Sequence, residues 1–296
     1  MGDYRTLSPR DISERTYWLR EKLWWNNLAE NLPRIRNGRG TLELKDTCAG
    51  PCVVVGAGPS IEKFGQFELL KKFKGHVIAT DRMLVPLLKE GIVPEYVVSV
   101  DGDEVVADFY KDPIVENARV KAVFNSQVHP SVAAICPGEI FWFSVVMDNI
   151  NGPMSVSRVM YWMTGEKTLA SSYGNAGGFA WALGEFLGHR IVILVGMDLS
   201  YGPDVQPMNT TYWNGFLEMA KGKVQDALKH YRYDSNPFGF KVVTDDVFNG
   251  YREVLHHGIQ VSMAKTINCS PYTVLHGTRI STMSLEEALK RHTLQL

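Results

Sequence analysis

The stretch CVVVGAGPSIE, residues 52–62, decides the fold. An apolar run, CVVV, leads directly into Gly-Ala-Gly-Pro-Ser, and the polarity of the chain then rises. A buried strand that turns through glycines into a helix is the repeating unit of α/β folds. The stretch alone leaves two readings of the loop open, a phosphate-binding turn and a plain tight turn.

Apolar runs of strand length recur along the chain and alternate with helical stretches. Strands are predicted at residues 52–56, 76–81, 95–101, 121–125, 139–145 and 190–198. Helices are predicted at residues 61–73, 82–91 and 175–188, the second broken by Pro86. This alternation predicts an α/β fold whose mostly parallel, Rossmann-like sheet is flanked by helices on both faces.

An N-terminal helical extension precedes the first of these strands. Residues 8–37 combine a cap at Ser8-Pro9-Arg10-Asp11 with large apolar side chains at helical spacing, among them Trp18 and Trp24. The predicted domains are an extension at residues 1–45 and an α/β domain at residues 46–296. Residues 190–296 are expected to hold a lid-like loop and C-terminal elements. The tryptophans indicate either packing on the domain or a surface for self-association into a homo-oligomer.

Composition excludes several classes of partner. The 296 residues include 31 basic and 32 acidic ones, so no excess of charge favours nucleic acid or a membrane surface. No apolar run reaches the ~18 residues of a membrane span, and the polar N-terminus argues against a signal peptide. The eight histidines form no metal-ligand spacing. The four scattered cysteines are interpreted as small apolar residues of a reducing, cytoplasmic compartment.

Candidate site residues come from the rule that parallel sheets bind ligands beyond the carboxyl ends of their strands. Asp81, Asp101 and Asp198 each follow a predicted strand and are the candidate catalytic carboxylates. The loop after the first strand is the candidate nucleotide- or phosphate-binding element. Its residues are Gly56, Ala57, Gly58, Pro59 and Ser60. It lacks the third glycine of G-x-G-x-x-G and the Lys-Ser/Thr of a P-loop.

Three further groups of residues extend this site. Asp101 and Asp103, separated by Gly102, have a spacing at which two carboxylates can share one Mg²⁺, although an acidic turn has the same composition. Ser172 and Asn175 lead into the helix at residues 175–188 and are candidates to contact a ligand, although the small residues there also fit close packing alone. Tyr201 and Tyr212 belong to a long irregular segment and are the candidate substrate-lid residues, or else they seal the core.

Together these segments resemble the family of the archaeal 6-hydroxymethylpterin diphosphokinase MptE and the bacterial motility accessory factors, or Maf proteins. The resemblance is carried by VVVGAGPSI, IATDRMLVPLLKEGIVPEYVVSVDGD, NAGGFAWALGEFLGHRIVILVGMDLSYG and NCSPYTVLHGTRISTMSLEEAL. It implies a sialyltransferase-like α/β fold and group transfer from a nucleotide-bearing donor. The pterin enzymes move pyrophosphate from ATP with Mg²⁺. Maf proteins are associated with attaching nonulosonic, sialic-acid-like sugars to flagellin from a CMP-sugar.

The acidic loop separates these two chemistries. The pterin enzymes resemble D-L-D-G-D there, whereas this chain has Ser99-Val100-Asp101-Gly102-Asp103 and lacks the first carboxylate. The resemblance therefore implies a Maf-type glycosyltransferase that uses a CMP-linked nonulosonate and holds no tightly bound cofactor. One alternative is a diphosphokinase that uses ATP with Mg²⁺ at Asp101 and Asp103. The other is a non-catalytic nucleotide-binding or scaffold protein that docks through the tryptophan-bearing helix.

Overall fold

The computed structural model describes residues 7–293, and residues 1–6 and 294–296 of the predicted domains lie outside it. Its strands are β1 Arg39–Gly40, β2 Pro51–Val55, β3 His76–Thr80, β4 Tyr96–Ser99, β5 Lys121–Asn125, β6 Ile140–Val145, β7 Thr168–Ala170, β8 Ile191–Val195, β9 Tyr231–Ser235, β10 Lys241–Asp245, β11 Lys265–Asn268 and β12 Ile280–Thr282. Its α-helices are α1 Pro9–Asn37, α2 Ser60–Lys63, α3 Phe67–Leu70, α4 Asp81–Lys89, α5 Pro130–Ile135, α6 Val156–Met163, α7 Ala176–Phe186, α8 Trp213–Met219, α9 Val224–Ala227, α10 Asp246–Val261 and α11 Leu285–Thr293.

Ten of these strands form one sheet, and every pairing between named strands within it is parallel. The order is β1-β6-β5-β4-β3-β2-β8-β11-β12, with β7 also paired to β6. The remaining two strands, β9 and β10, form a separate antiparallel pair. The α/β fold with a parallel sheet that the sequence predicts is confirmed.

Both faces of the sheet are covered, because successive strand side chains point to opposite sides. One layer joins Val54, Val98 and Phe143 to residues of α7 and α10, including Trp181 and Leu255. On the opposite face, the other strand positions pack against helices in two clusters. The first cluster includes Val53, Val55, Leu87 and Ala288. The second includes Val97, Phe124, Leu84 and Leu28. The sheet is therefore buried on both faces, and its edges are where a ligand can approach.

Helix α1 begins and packs in a way that the local sequence explains. Ser8 and Asp11 form a capping box, in which each side chain accepts a hydrogen bond from the other residue's backbone N–H. Leu28 and Ile35 are completely buried, whereas Trp18 is 74% exposed. The carboxyl half of the helix is thus part of the core, and the amino half presents Trp18 to the surface. Self-association through that surface stays a prediction.

The structure resolves two helix predictions. Residues 61–73, where the sequence predicts a helix or a broken helix, form two short helices, α2 and α3, separated by Gly65, whose φ of +60° ends the first helix. Helix α4 continues through Pro86 instead of breaking there. No helix within residues 7–293 is long and apolar enough to cross a membrane.

Candidate active site

The carboxyl ends of the parallel strands all lie at one edge of the sheet. The order in which the chain adds strands reverses between β2 and β8. Strand β2 has β3 on one side and β8 on the other, while the chain runs outward from it in both directions. Ligands of open α/β sheets bind at such a reversal. The two loops at this point are residues 56–60 after β2 and residues 196–198 after β8.

The glycine loop packs tightly against the loop after β8. The N–H of Gly56 donates to the carbonyl of Val195, and that of Gly58 donates to the carbonyl of Gly196, both at 2.8 Å. A Cβ on Gly58 would lie 2.5 Å from Asp198 Oδ2 and 2.6 Å from the Gly196 oxygen. Glycine is therefore required at position 58 by the close approach of two backbones.

Asp198 holds the end of the glycine loop. Its carboxylate accepts hydrogen bonds from the Ser60 N–H at 2.8 Å and from Ser60 Oγ at 2.6 Å. The side chain is only 1% exposed, and burial raises the pKa of Asp198 to about 6. The backbone donors of residues 56, 58 and 60 are thus bonded within the protein, while Ala57 and Pro59 are exposed. Phosphate binding by this loop stays a prediction.

Asp81 is a second buried carboxylate. It accepts hydrogen bonds from Ser99 Oγ at 2.9 Å and from the Arg82 N–H at 2.8 Å, and Ser99 is hydrogen-bonded in turn to the Tyr110 hydroxyl. Burial, together with a smaller contribution from the neighbouring charge of Asp101, raises the pKa of Asp81 to about 6. The partners and burial of Asp81 resemble those of Asp198.

Asp101 differs from both because it is exposed. Its Oδ1 accepts a hydrogen bond from the Asp103 N–H at 3.2 Å, which closes the acidic turn. The three carboxylates form a row along the edge in the strand order β4-β3-β2-β8. At about 4.8 Å per strand, the strands that carry Asp101 and Asp198 are roughly 14 Å apart. The structure therefore brings Asp101 and Asp81 together and leaves Asp198 at the other end of the row.

Helix α1 holds the acidic turn from the side. Arg20 forms an ion pair with Asp103, and Asn27 Nδ2 donates to the carbonyl oxygens of Gly102 at 2.8 Å and Gln127 at 3.0 Å. Asp103 would have to leave Arg20 before it could share one Mg²⁺ with Asp101. Magnesium binding at this turn stays a prediction.

Tyrosines from the C-terminal part of the chain stand beside Asp101. The rings of Tyr212 and Tyr251 both pack against Phe248, at centroid distances of 5.7 and 6.4 Å, and the Tyr201 hydroxyl donates to Asp245 Oδ2 at 2.5 Å. Burial raises the pKa of Tyr212 and of Tyr251, and the negative charge of Asp101 contributes to both shifts. Tyr251 and Asp245 are not among the residues selected from the sequence. The signal that could have identified Asp245 is a carboxylate shortly after the apolar run at residues 242–243.

The loop before α7, residues 171–175, lies next to these tyrosines. Asn175 caps α7, with its Oδ1 accepting from the Gly178 N–H at 2.9 Å, and Ser172 Oγ accepts from the Gly174 N–H at 3.3 Å. A Cβ on Gly174 would lie 2.4 Å from the Tyr251 ring, so the loop touches the tyrosine pair. Asn175 Nδ2 is buried and has no hydrogen-bond partner among the described residues.

Met197 connects this loop to the glycine loop. A Cβ on Gly56 would lie 2.7 Å from the Met197 sulfur, and a Cβ on Gly177 would lie 2.5 Å from the same atom. The amino end of α7 and the glycine loop therefore flank one side chain. The edge of the sheet gathers residues 56–60, the α7 amino end, Asp101 and the tyrosine pair around one surface.

The sequence matches the family described as 6-hydroxymethylpterin diphosphokinase MptE-like over residues 26–204, which is more than half of the chain. The chain belongs to the MptE-like family. The resemblance that the sequence motifs predict is thereby confirmed. The matched residues include the glycine loop and all three candidate carboxylates, whereas Arg20, Tyr212 and Tyr251 lie outside them.

A solved structure extends the likeness of fold to most of the chain. The Maf glycosyltransferase from Magnetospirillum magneticum AMB-1 is 18% identical with a TM-score of 0.64. The alignment covers 90% of this chain and 38% of that one, so this MptE-like chain spans about two fifths of its length. No curated protein matches the sequence. The family description supports a transferase, whereas the neighbour at 18% identity shows the likeness of fold alone. The reaction is the subject of the proposal below.

Proposed function

We propose that this MptE-like protein is a glycosyltransferase that binds a CMP-linked nonulosonate at the carboxyl edge of its sheet. The observation that carries the proposal is the environment of Asp101. Among the three candidate carboxylates, Asp101 is the exposed one, and its negative charge acts on both Tyr212 and Tyr251. Asp103, the second carboxylate that a Mg²⁺-dependent reaction would use, is paired with Arg20.

The donor would lie across the α7 amino end and the outer surface of the glycine loop. Helix α7 has 11 residues, so its first turn offers backbone donors and the positive end of a helix dipole to a phosphate. Asn175 Nδ2, a buried donor with no acceptor among residues 7–293, is available to a ligand oxygen there. Ala57 contributes an exposed, uncharged surface next to these donors.

In the proposed reaction, an acceptor hydroxyl attacks the anomeric carbon of the sugar. The new carbon–oxygen bond forms as the bond from that carbon to the CMP phosphate oxygen breaks, and CMP leaves with the electron pair. Asp101 takes the hydroxyl proton as the general base. The hydroxyls of Tyr212 and Tyr251 stand where they can orient the acceptor, while Asp81 and Asp198 hold the surrounding loops.

The family description favours a second candidate, pyrophosphoryl transfer from ATP to a hydroxymethylpterin. That reaction would need a divalent cation at the acidic turn. Asp103 would have to leave Arg20 before it could join Asp101 as a ligand. The two candidates therefore differ in their nucleotide and in their need for Mg²⁺.

Thermal stabilisation by nucleotides tests the choice. The purified chain is mixed with CMP, CTP, ATP or GTP, each with and without Mg²⁺. A ligand that binds the folded state raises its stability by about 2.7 kcal/mol at a hundredfold excess over Kd. Stabilisation by CMP or CTP without Mg²⁺ supports glycosyl transfer. Stabilisation only by ATP or GTP with Mg²⁺ rejects it in favour of the diphosphokinase.

Turnover then tests the role of Asp101. The assay measures CMP release from a CMP-linked sialic acid with hydroxyl-bearing acceptors. Asp101→Asn is expected to lower kcat about a hundredfold or more while CMP still stabilises the protein. Asp108→Asn is the matched control, because Asp108 is also an exposed carboxylate and forms an ion pair with Lys111. Equal turnover in both variants would remove Asp101 from the mechanism, and CMP binding without any turnover would favour the non-catalytic alternative.

A further inference from the structure

A second cluster of reactive side chains lies at the opposite, amino edge of the sheet. Cys48 precedes β2, His76 begins β3 and His189 precedes β8, and these three strands are neighbours. The Cys48 sulfur and one ring nitrogen of each histidine all lie within 4.8 Å of one another. The three residues are far apart in sequence, so the sheet alone brings them together.

The two histidines have the spacing of metal ligands. His76 Nδ1 and His189 Nε2 are 3.3 Å apart. Two nitrogens that bind one tetrahedral Zn²⁺ at about 2.05 Å are separated by about 3.3 Å. The present spacing therefore needs little change to admit the ion.

The surroundings of His189 hold it in the state that a ligand requires. Its Nδ1 lies 3.0 Å from the Gly50 carbonyl oxygen, so Nδ1–H donates there and the Nε2 lone pair faces His76. The ring is fully buried. The orientation of His189 thus suits coordination through Nε2.

The surroundings of Cys48 also suit a bound thiolate. The buried Tyr96 side chain lies near Cys48. Cys48 and His76 are half-buried, so an ion and a fourth ligand from solvent can reach the cluster. Cys52, the other cysteine of the C-x-x-x-C pair, lies instead in the apolar layer beside Gly184.

We propose that Cys48, His76 and His189 form a zinc site. One thiolate and two imidazoles are ligands that Zn²⁺ prefers, and water would complete the tetrahedron. Binding would release the thiol proton of Cys48 and tie the segment before β2 to the starts of β3 and β8. The site lies at the other edge of the sheet from the proposed active site, so each proposal can fail without the other.

Cobalt is the spectroscopic probe for this site. The full chain is stripped with a chelator and titrated with Co²⁺, and then with Zn²⁺ in competition. We expect one equivalent of Co²⁺ to give tetrahedral d–d bands and a charge-transfer band from a single thiolate, and Zn²⁺ to abolish both. Absence of the charge-transfer band in the wild-type protein would overturn the proposal.

Matched variants assign the ligands. Cys48→Ser should remove the charge-transfer band, and His76→Gln should weaken Zn²⁺ binding tenfold or more. Cys136→Ser and His257→Gln are the controls, since Cys136 is also half-buried, His257 is exposed, and neither belongs to the cluster. If Cys48→Ser fails to fold, alkylation of the wild type mapped by mass spectrometry replaces it. Zn²⁺ must then protect Cys48 more than Cys136, and equal protection would refute the assignment.

Discussion

Replacing Asp198 by asparagine should change how the stability of the protein depends on pH. Asp198 is buried and accepts two hydrogen bonds from Ser60, one from the backbone and one from the hydroxyl. Asparagine has a similar shape but no charge, and only its oxygen can accept a hydrogen bond. The variant therefore removes a titrating group from the core while it preserves most of the packing around Ser60.

The size of the effect follows from the raised pKa of Asp198. Its folded-state pKa is about 6, compared with the usual 3.8, a difference of about two units. One unit corresponds to 1.36 kcal/mol, so the pKa difference amounts to about 3 kcal/mol. Because the folded state binds the proton more tightly, this stabilisation is full below pH ~3.8 and is lost as the pH rises through 6. The free energy of unfolding of the wild type, minus that of Asp198→Asn, should fall by about 2.4 kcal/mol between pH 4 and pH 7.

Urea unfolding of both proteins between pH 4 and pH 7 measures this difference directly. Asp81 has a similarly raised pKa, but it is present in both proteins and so cancels. Asp108→Asn changes an exposed carboxylate and should unfold in parallel with the wild type at every pH. If Asp198→Asn also runs parallel to the wild type, Asp198 is not a buried group with a raised pKa, and the account of the glycine loop is wrong.

Two further predictions concern packing around the site. Gly58→Ala should lower the free energy of unfolding by about 3 kcal/mol, because the new Cβ meets Asp198 and a backbone carbonyl at 2.5–2.6 Å. The control Gly215→Ala places its Cβ in open space on α8 and should be neutral or stabilising, so similar urea midpoints for the two variants would refute the steric argument. Asn27→Ala should cost about 1–3 kcal/mol, because two buried carbonyl oxygens lose their donor, whereas the exposed neighbour Asn26→Ala should cost almost nothing in the same assay. Equal losses for Asn27→Ala and Asn26→Ala would mean that α1 does not hold the acidic turn.

The sheet core was predictable from the sequence where its strands are long and apolar. The pattern at residues 52–56 and 190–198 predicts two strands. In the structure these strands, β2 and β8, pair with each other. The C-terminal half was less accessible, because β11 and β12 have only four and three residues and show no periodicity. Helix α10 contains Gly258, which weakens a helical pattern. The structure explains that glycine by the Tyr173 ring, which would lie 2.3 Å from a Cβ there.

The sequence predicts where the candidate site lies, but it does not predict how exposed its residues are or which partners they bind. The rule that ligands bind beyond strand ends selects Asp81, Asp101 and Asp198 from the sequence alone. Their exposure depends on partners from distant segments, such as Ser60, which lies 138 residues from Asp198. The N-terminal helix likewise contacts the acidic turn through Asn27 across 75 residues. No local pattern contains such contacts.

The position of the tyrosines indicates how the proposed transferase would divide its tasks. Residues 26–204, which match the family, build the sheet, the glycine loop and the carboxylates, and these elements suit a donor with a nucleotide. Tyr212 and Tyr251 come from outside those residues, yet they stand beside Asp101. Under the proposed function, the attacking hydroxyl must pass between this pair and Asp101. The acceptor would therefore be chosen by the part of the chain beyond the family match, while the donor would be bound by the part within it.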